Sequence, residues 1–102
     1  VSTLAASAIK KVIVACDAGM GSSVMLAGHL KRQLNKSGVV VDHAPVSAIP
    51  DDADLILTNV GLAERVRASA PGKPVVAFQI FLGDPAVEKV VKAIKEGGTI
   101  DV

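Results

Sequence analysis

The chain has 102 residues, half of them apolar, with eleven basic and ten acidic side chains and a formal net charge of +1 at pH 7. That length holds one domain with a real core, and the balanced charge with only two aromatics, Phe78 and Phe81, argues against a nucleic-acid binder. No apolar run reaches the roughly 18 residues of a membrane span; Cys16, the single cysteine, excludes an internal disulfide and fits a reducing cytoplasm, and with no cysteine or histidine cluster a structural metal site is not expected.

Residues 1–10 read as a linker or disordered segment, rich in Ser, Thr and Ala, with neither the basic start nor the hydrophobic stretch of a signal peptide. Lys11-Val12-Ile13-Val14-Ala15 is a short β-branched run and predicts a buried strand. It feeds a glycine-containing loop, Cys16-Asp17-Ala18-Gly19-Met20-Gly21-Ser22-Ser23. Beyond the loop, Leu26, Leu30 and Leu34 recur every four residues with Ala27 on the same stripe, which predicts a helix stopped by Gly38. Val39-Val40-Val41 starts a second strand that Pro45 ends. Residues 44–53 show no convincing helix, although their length just allows a parallel crossover.

Asp54 to Thr58 predicts the third strand, and Leu62 with Val66 a short helix from about Gly61 to Ser69, closed by Pro71-Gly72. Pro74 to Phe78 gives the fourth strand. Val87, Val90, Val91 and Ile94, at i, i+3, i+4 and i+7, define the last helix, which Gly97-Gly98 ends. Residues 11–98 then form the domain and 99–102 a C-terminal tail. The alternation implies an α/β fold: a four-stranded parallel sheet flanked by helices on both faces, a flavodoxin-like or Rossmann-like three-layer sandwich. With the first strand near the centre, the ligand crevice lies at the carboxyl ends of the strands, where the Cys16 loop emerges.

That loop leaves a strand and enters a helix, so its later amides belong to a helix N-terminus that favours anions. Gly19 and Gly21 let the backbone curl into a nest of N–H donors, and Ser22 and Ser23 add hydroxyls. A thiol beside such a nest is expected to be acidified, and the thiolate is the nucleophile. Cys16 is therefore the candidate catalytic residue, with Asp17, Ala18, Gly19, Met20, Gly21, Ser22 and Ser23 as the candidate phosphate cradle. The competing reading makes Cys16 a small core residue at a strand end. Asp17 opposes ionisation of the thiol; it shapes the loop, shortens the life of a phosphocysteine, or simply faces solvent. A nucleotide P-loop fails because no Gly-Lys-Ser/Thr follows the glycines, and a dinucleotide fingerprint lacks its third glycine.

Cys-Asp-Ala-Gly-Met-Gly-Ser-Ser after a hydrophobic strand resembles the active-site loop of the mannitol-type B domain (enzyme IIB) of the bacterial phosphoenolpyruvate-dependent sugar phosphotransferase system. The resemblance runs from about Lys11 to the last helix, with Leu62-Ala63-Glu64-Arg65 and Phe81-Leu82 as weaker matches. It implies a cytoplasmic phosphoryl carrier held at the inner face of the membrane through its partner. In that scheme Cys16 accepts phosphate from a phosphohistidine of the enzyme IIA domain. It passes the group to a sugar, mannitol or a related polyol, bound by the membrane enzyme IIC domain. No metal or organic cofactor is needed, and neither nucleic acid nor direct membrane insertion is involved. Asn59-Val60-Gly61 departs from the more basic segment of mannitol members, which bears on the sugar and on docking contacts rather than on the transfer chemistry.

Two other readings stay open. A low-molecular-weight tyrosine phosphatase also uses a strand, a Cys loop and a helix, with Cys-x5-Arg-Ser/Thr and a late Asp-Pro. Here Ser22 stands at the arginine position, which removes the bidentate clamp, and Asp84-Pro85 reads as an N-cap with proline at the first helical position. The third reading is a regulatory domain switched by phosphocysteine. His29 and His43 show no partner in sequence. Lys89, Lys92 and Lys95 read as a solvated helix face, and Met20 either packs inward or meets docking partners.

Overall fold

A computed structural model describes residues 3–16, 21–34, 37–79 and 85–101. In chain order the elements are β1 (Thr3–Ala5), β2 (Lys11–Cys16), α1 (Gly21–Gln33), β3 (Val40–Pro45), β4 (Leu55–Asn59), α2 (Ala63–Ser69), β5 (Val75–Phe78), α3 (Pro85–Glu96) and β6 (Thr99–Asp101). Four strands form a parallel sheet in the order β3-β2-β4-β5, with β2 internal. This is the strand order of a flavodoxin-like doubly wound sheet.

The period-two alternation of the strands divides the core. Val12, Val14, Leu55, Leu57, Val76 and Phe78 face one side, where they meet Leu26 and Leu30 of α1, Leu34 just beyond its end, and Val87, Val90 and Ile94 of α3. Ile13, Ala15, Ile56 and Val75 face the other and are covered by Val66 of α2 with Val46 and Ala53. Each fully buried leucine contributes about 1.5–3 kcal/mol, so the stripe on α1 outweighs the weak intrinsic tendency of a short helix to form. Gly38, expected to stop α1, follows it with φ +74°, a left-handed conformation that suits glycine.

The crossover from β3 to β4 contains a single 3-10 turn, Val46–Ala48, and buries Val46 and Ala53 against the second face, so it does the covering work of a helix in fewer residues. The start of β2 is clamped. Asp54 Oδ2 accepts the backbone N–H groups of Lys10 (2.8 Å) and Lys11 (3.0 Å), while the Asp54 N–H donates to the Lys11 carbonyl (2.9 Å).

The two ends differ from expectation. Where residues 1–10 and 99–102 read as linker and tail, β1 and β6 pair antiparallel, Thr3 opposite Asp101 and Ala5 opposite Thr99. The Ala6 N–H also donates to the Gly98 carbonyl (2.9 Å), and Ala6, Ile9 and Ile100 are buried in the first core. The physical reason is burial: Ile9 and Ile100 bring apolar surface that this ribbon holds against α3 and the sheet.

Candidate active site

Cys16 is the last residue of β2, opposite Pro45 of β3, so the backbone brings it to the carboxyl end of an inner strand. Gly21, Ser22 and Ser23 open α1. The candidate cradle residues Asp17, Ala18, Gly19 and Met20 lie between these two ends and outside the described residues. What the fold brings together is a strand end carrying Cys16 and, after four residues, the N-terminus of a 13-residue helix. The first turn of α1 holds no acidic residue, and Lys31 and Arg32 lie in its last turn. The positive end of the helix dipole is therefore not neutralised by the helix's own side chains, and an anion can be stabilised there.

Neighbouring strands brace this end. Thr58 is buried, and its Oγ1 donates to the carbonyl of Ala15 at 3.2 Å, tying β4 to β2 one residue before Cys16. Asn59 ends β4, and its Oδ1 accepts the Gly61 N–H at 2.9 Å, which starts the 3-10 turn Val60–Leu62. A Cβ at Gly61 would approach Asn59 Oδ1 to 3.3 Å, so a larger residue there would displace that side chain by a few tenths of an ångström. Around this end three large apolar side chains are open to solvent: Val24 (51% exposed) and Met25 (64%) early in α1, and Val60 (49%) after β4. Asn59 and Val60 belong to the segment that the sequence marks as bearing on the sugar and on docking, whereas Thr58, Val24 and Met25 carry no such mark in the sequence. The signal for Val24 and Met25 was their position off the Leu26–Leu30–Leu34 stripe.

The other candidates lie elsewhere. His29 lines a groove of about 420 Å³ between α1 and α3, floored by Leu26, Val87 and Val91. Lys95 Nζ donates to Gln33 Oε1 at 2.9 Å across the same helix pair. His43 is exposed on edge strand β3, opposite Val14, and its N–H donates to Asp42 Oδ1 (2.8 Å). Pro85 is the first residue of α3, as read, whereas Asp84 falls outside the described residues. Among the described residues no group of three His, Cys, Asp or Glu side chains is placed to hold a metal ion. Among them also, no helix is long and apolar enough to cross a membrane.

Residues 2–93 match the family described as "PTS system, Lactose/Cellobiose specific IIB subunit". A mannitol-specific EIICB component of Halalkalibacterium halodurans is 36% identical over 92 residues, covering 88% of this chain and 20% of that protein. A mannitol-specific EIICBA component of Buchnera aphidicola is 39% identical over 93 residues, covering 88% of this chain and 15% of its own length. The chain thus spans a fifth or less of these relatives. A crystal structure of a flavodoxin-like domain from a Synechococcus protein aligns with TM-score 0.44 and 18% identity over 85% of this chain and 74% of that one, a likeness too weak to build on.

Proposed function

The chain belongs to the IIB subunit family of the sugar phosphotransferase system, and from that premise we propose that it is a phosphoryl carrier in which Cys16 bears the phosphate. The observation that carries this reading is the placement of Cys16 at the carboxyl end of β2, with four residues between it and an α1 N-terminus that has no acid in its first turn.

The chemistry follows from that placement. The Cys16 thiolate attacks the phosphorus of a phosphohistidine on the A domain; the S–P bond forms as the P–N bond breaks, and the histidine keeps the electron pair. In the second step a sugar hydroxyl attacks the same phosphorus, the S–P bond breaks to restore the thiolate, and the hydroxyl proton leaves. Both steps are in-line transfers through a loose transition state whose charge lies on the equatorial oxygens. Amides of the loop and of Gly21, Ser22 and Ser23 stabilise that charge.

Mannitol or a related polyol is the acceptor we favour, because the relatives at 36–39% identity are named mannitol-specific. Docking uses the apolar rim of Val24, Met25 and Val60, which donor and acceptor meet in turn through small, transient contacts. The relatives' names, EIICB and EIICBA, support a IIC partner and a IIA partner, and hence a position at the inner face of the membrane. Ser22 at the position of a phosphatase arginine disfavours the hydrolytic reading.

The test is phosphorylation with phosphoenolpyruvate, the general phosphotransferase proteins and the cognate A domain. One phosphoryl group per chain is expected, and none on Cys16→Ser. Phosphate on His29 or His43 instead would overturn the assignment.

A further inference from the structure

Among the described residues, strand β5 has only one neighbour in the sheet. The Ile56 N–H donates to the Pro74 carbonyl at 3.0 Å, which sets the parity of the ladder: the N–H and C=O groups of Val75 and Ala77 point away from β4. Among the described residues these outward groups pair with no other strand. A groove of about 610 Å³ runs along this edge, between Val75–Ala77 on one side and Gly98, Thr99 and Ile100 on the other. Val90 and Ala93 of α3 form an apolar floor, and the exposed Lys89, Lys92 and Glu96 surround it. In a doubly wound sheet of this order, a fifth strand lies beyond β5. Here the last strand, β6, pairs with β1 instead, and the fifth position is left as the groove.

We propose that this groove binds an extended acidic segment of a partner protein as a fifth strand of the sheet. The outward groups of Val75 and Ala77 offer two donors and two acceptors. At about 3.4 Å per residue, they match three residues of an added strand. Alternate side chains of that strand lie on Val90 and Ala93 or reach the rim, where two lysines face one glutamate and favour carboxylates. A second copy of the chain is a poor occupant, because it would bring one rim of two lysines and one glutamate against another of the same net charge. The groove runs along the outer edge of β5 from Val75 to Ala77 and along α3 from Ala86 to Glu96, and its described lining includes no residue of the inner strand β2, which Cys16 ends. No chemistry of Cys16 is used, and the titration below reads peptide binding without phosphorylation, so failure here and failure of the phosphoryl-carrier reading are distinguishable.

The experiment titrates the whole chain with a blocked heptapeptide alternating Glu with Val, and with its Lys-for-Glu twin, followed by amide NMR and hydrogen exchange. The acidic peptide should protect the Val75 and Ala77 amides and bind about tenfold tighter than the basic twin, as two exposed charge pairs allow. The double variant Lys89→Glu, Lys92→Glu should reverse that preference. Ala77→Pro removes one outward N–H and should weaken binding. An acidic peptide N-methylated at alternate residues tests the same bonds without altering the protein, and it should not bind. The proposal is overturned by no binding at millimolar peptide, by binding without protection of Val75 and Ala77, or by equal affinity for the two peptides. It is equally overturned if sedimentation shows self-association that Ala77→Pro abolishes, since the occupant would then be a second copy.

Discussion

Replacing Asp54 with Ala and with Asn should give different results, because both clamp bonds end on one oxygen. Asp54 Oδ2 takes the Lys10 N–H at 2.8 Å and the Lys11 N–H at 3.0 Å, and an Asn amide oxygen can occupy the same place. Alanine removes both. Hydrogen bonds to charged acceptors contribute about 1.5–3 kcal/mol each, but one of these is exposed and the other partly buried, so about 1 kcal/mol each is reasonable and Asp54→Ala costs about 2 kcal/mol. Asp54→Asn keeps both bonds and loses the charge assistance, about 0.5–1 kcal/mol. For a domain of this size, the alanine variant should melt about 10 °C lower and the asparagine variant about 4 °C lower. Urea unfolding should show the same ranking in midpoint at constant m-value. Equal losses for the two variants, or no loss for Asp54→Ala, would refute the single-oxygen clamp.

Thr58→Val keeps the shape and removes the donor to the Ala15 carbonyl; it should cost about 1 kcal/mol in urea unfolding, and an unchanged midpoint would show that the hydroxyl contributes nothing. Met25→Gln, at a 64% exposed position, should leave stability within about 0.5 kcal/mol yet slow phosphoryl exchange with the A domain several-fold; the reverse pattern would remove Met25 from the docking rim. The wild type should turn over aryl phosphates negligibly and keep a long-lived phosphocysteine, whereas Ser22→Arg should speed its loss to water. Efficient hydrolysis by the unmodified protein would favour the phosphatase reading.

The parts of the fold legible from sequence are those whose burial is written in a local period. Val87, Val90 and Ile94 on α3, and Leu26, Leu30 and Leu34 on α1 and at its end, are buried as their spacing requires, and the runs around Ile13 and Ile56 are the inner strands. The place of the Cys16 loop was legible for the same reason, since the strand before it and the helix after it were both plain. The β1–β6 ribbon was not. Each of its strands has three residues, too few to show alternation, and the pairing of Thr3 with Asp101 joins opposite ends of the chain. The Asp54 clamp and the Thr58 bond escaped because a single polar residue beside an apolar run carries no period. Their partners, Lys10, Lys11 and Ala15, are more than forty residues away.

The ribbon has a mechanical meaning. Thr3 and Asp101 sit opposite one another at its outer end, so tension applied through the flanking chain pulls the two strands apart like a zipper, one residue pair at a time. Such peeling yields at lower force than sliding strands lengthwise, where all bonds must fail together. A load would therefore open Thr3–Ala5 from Thr99–Asp101 before it reached the clamped start of β2. Under such a load the ribbon would yield first, and the parallel sheet behind it would hold the backbone at Cys16 in register.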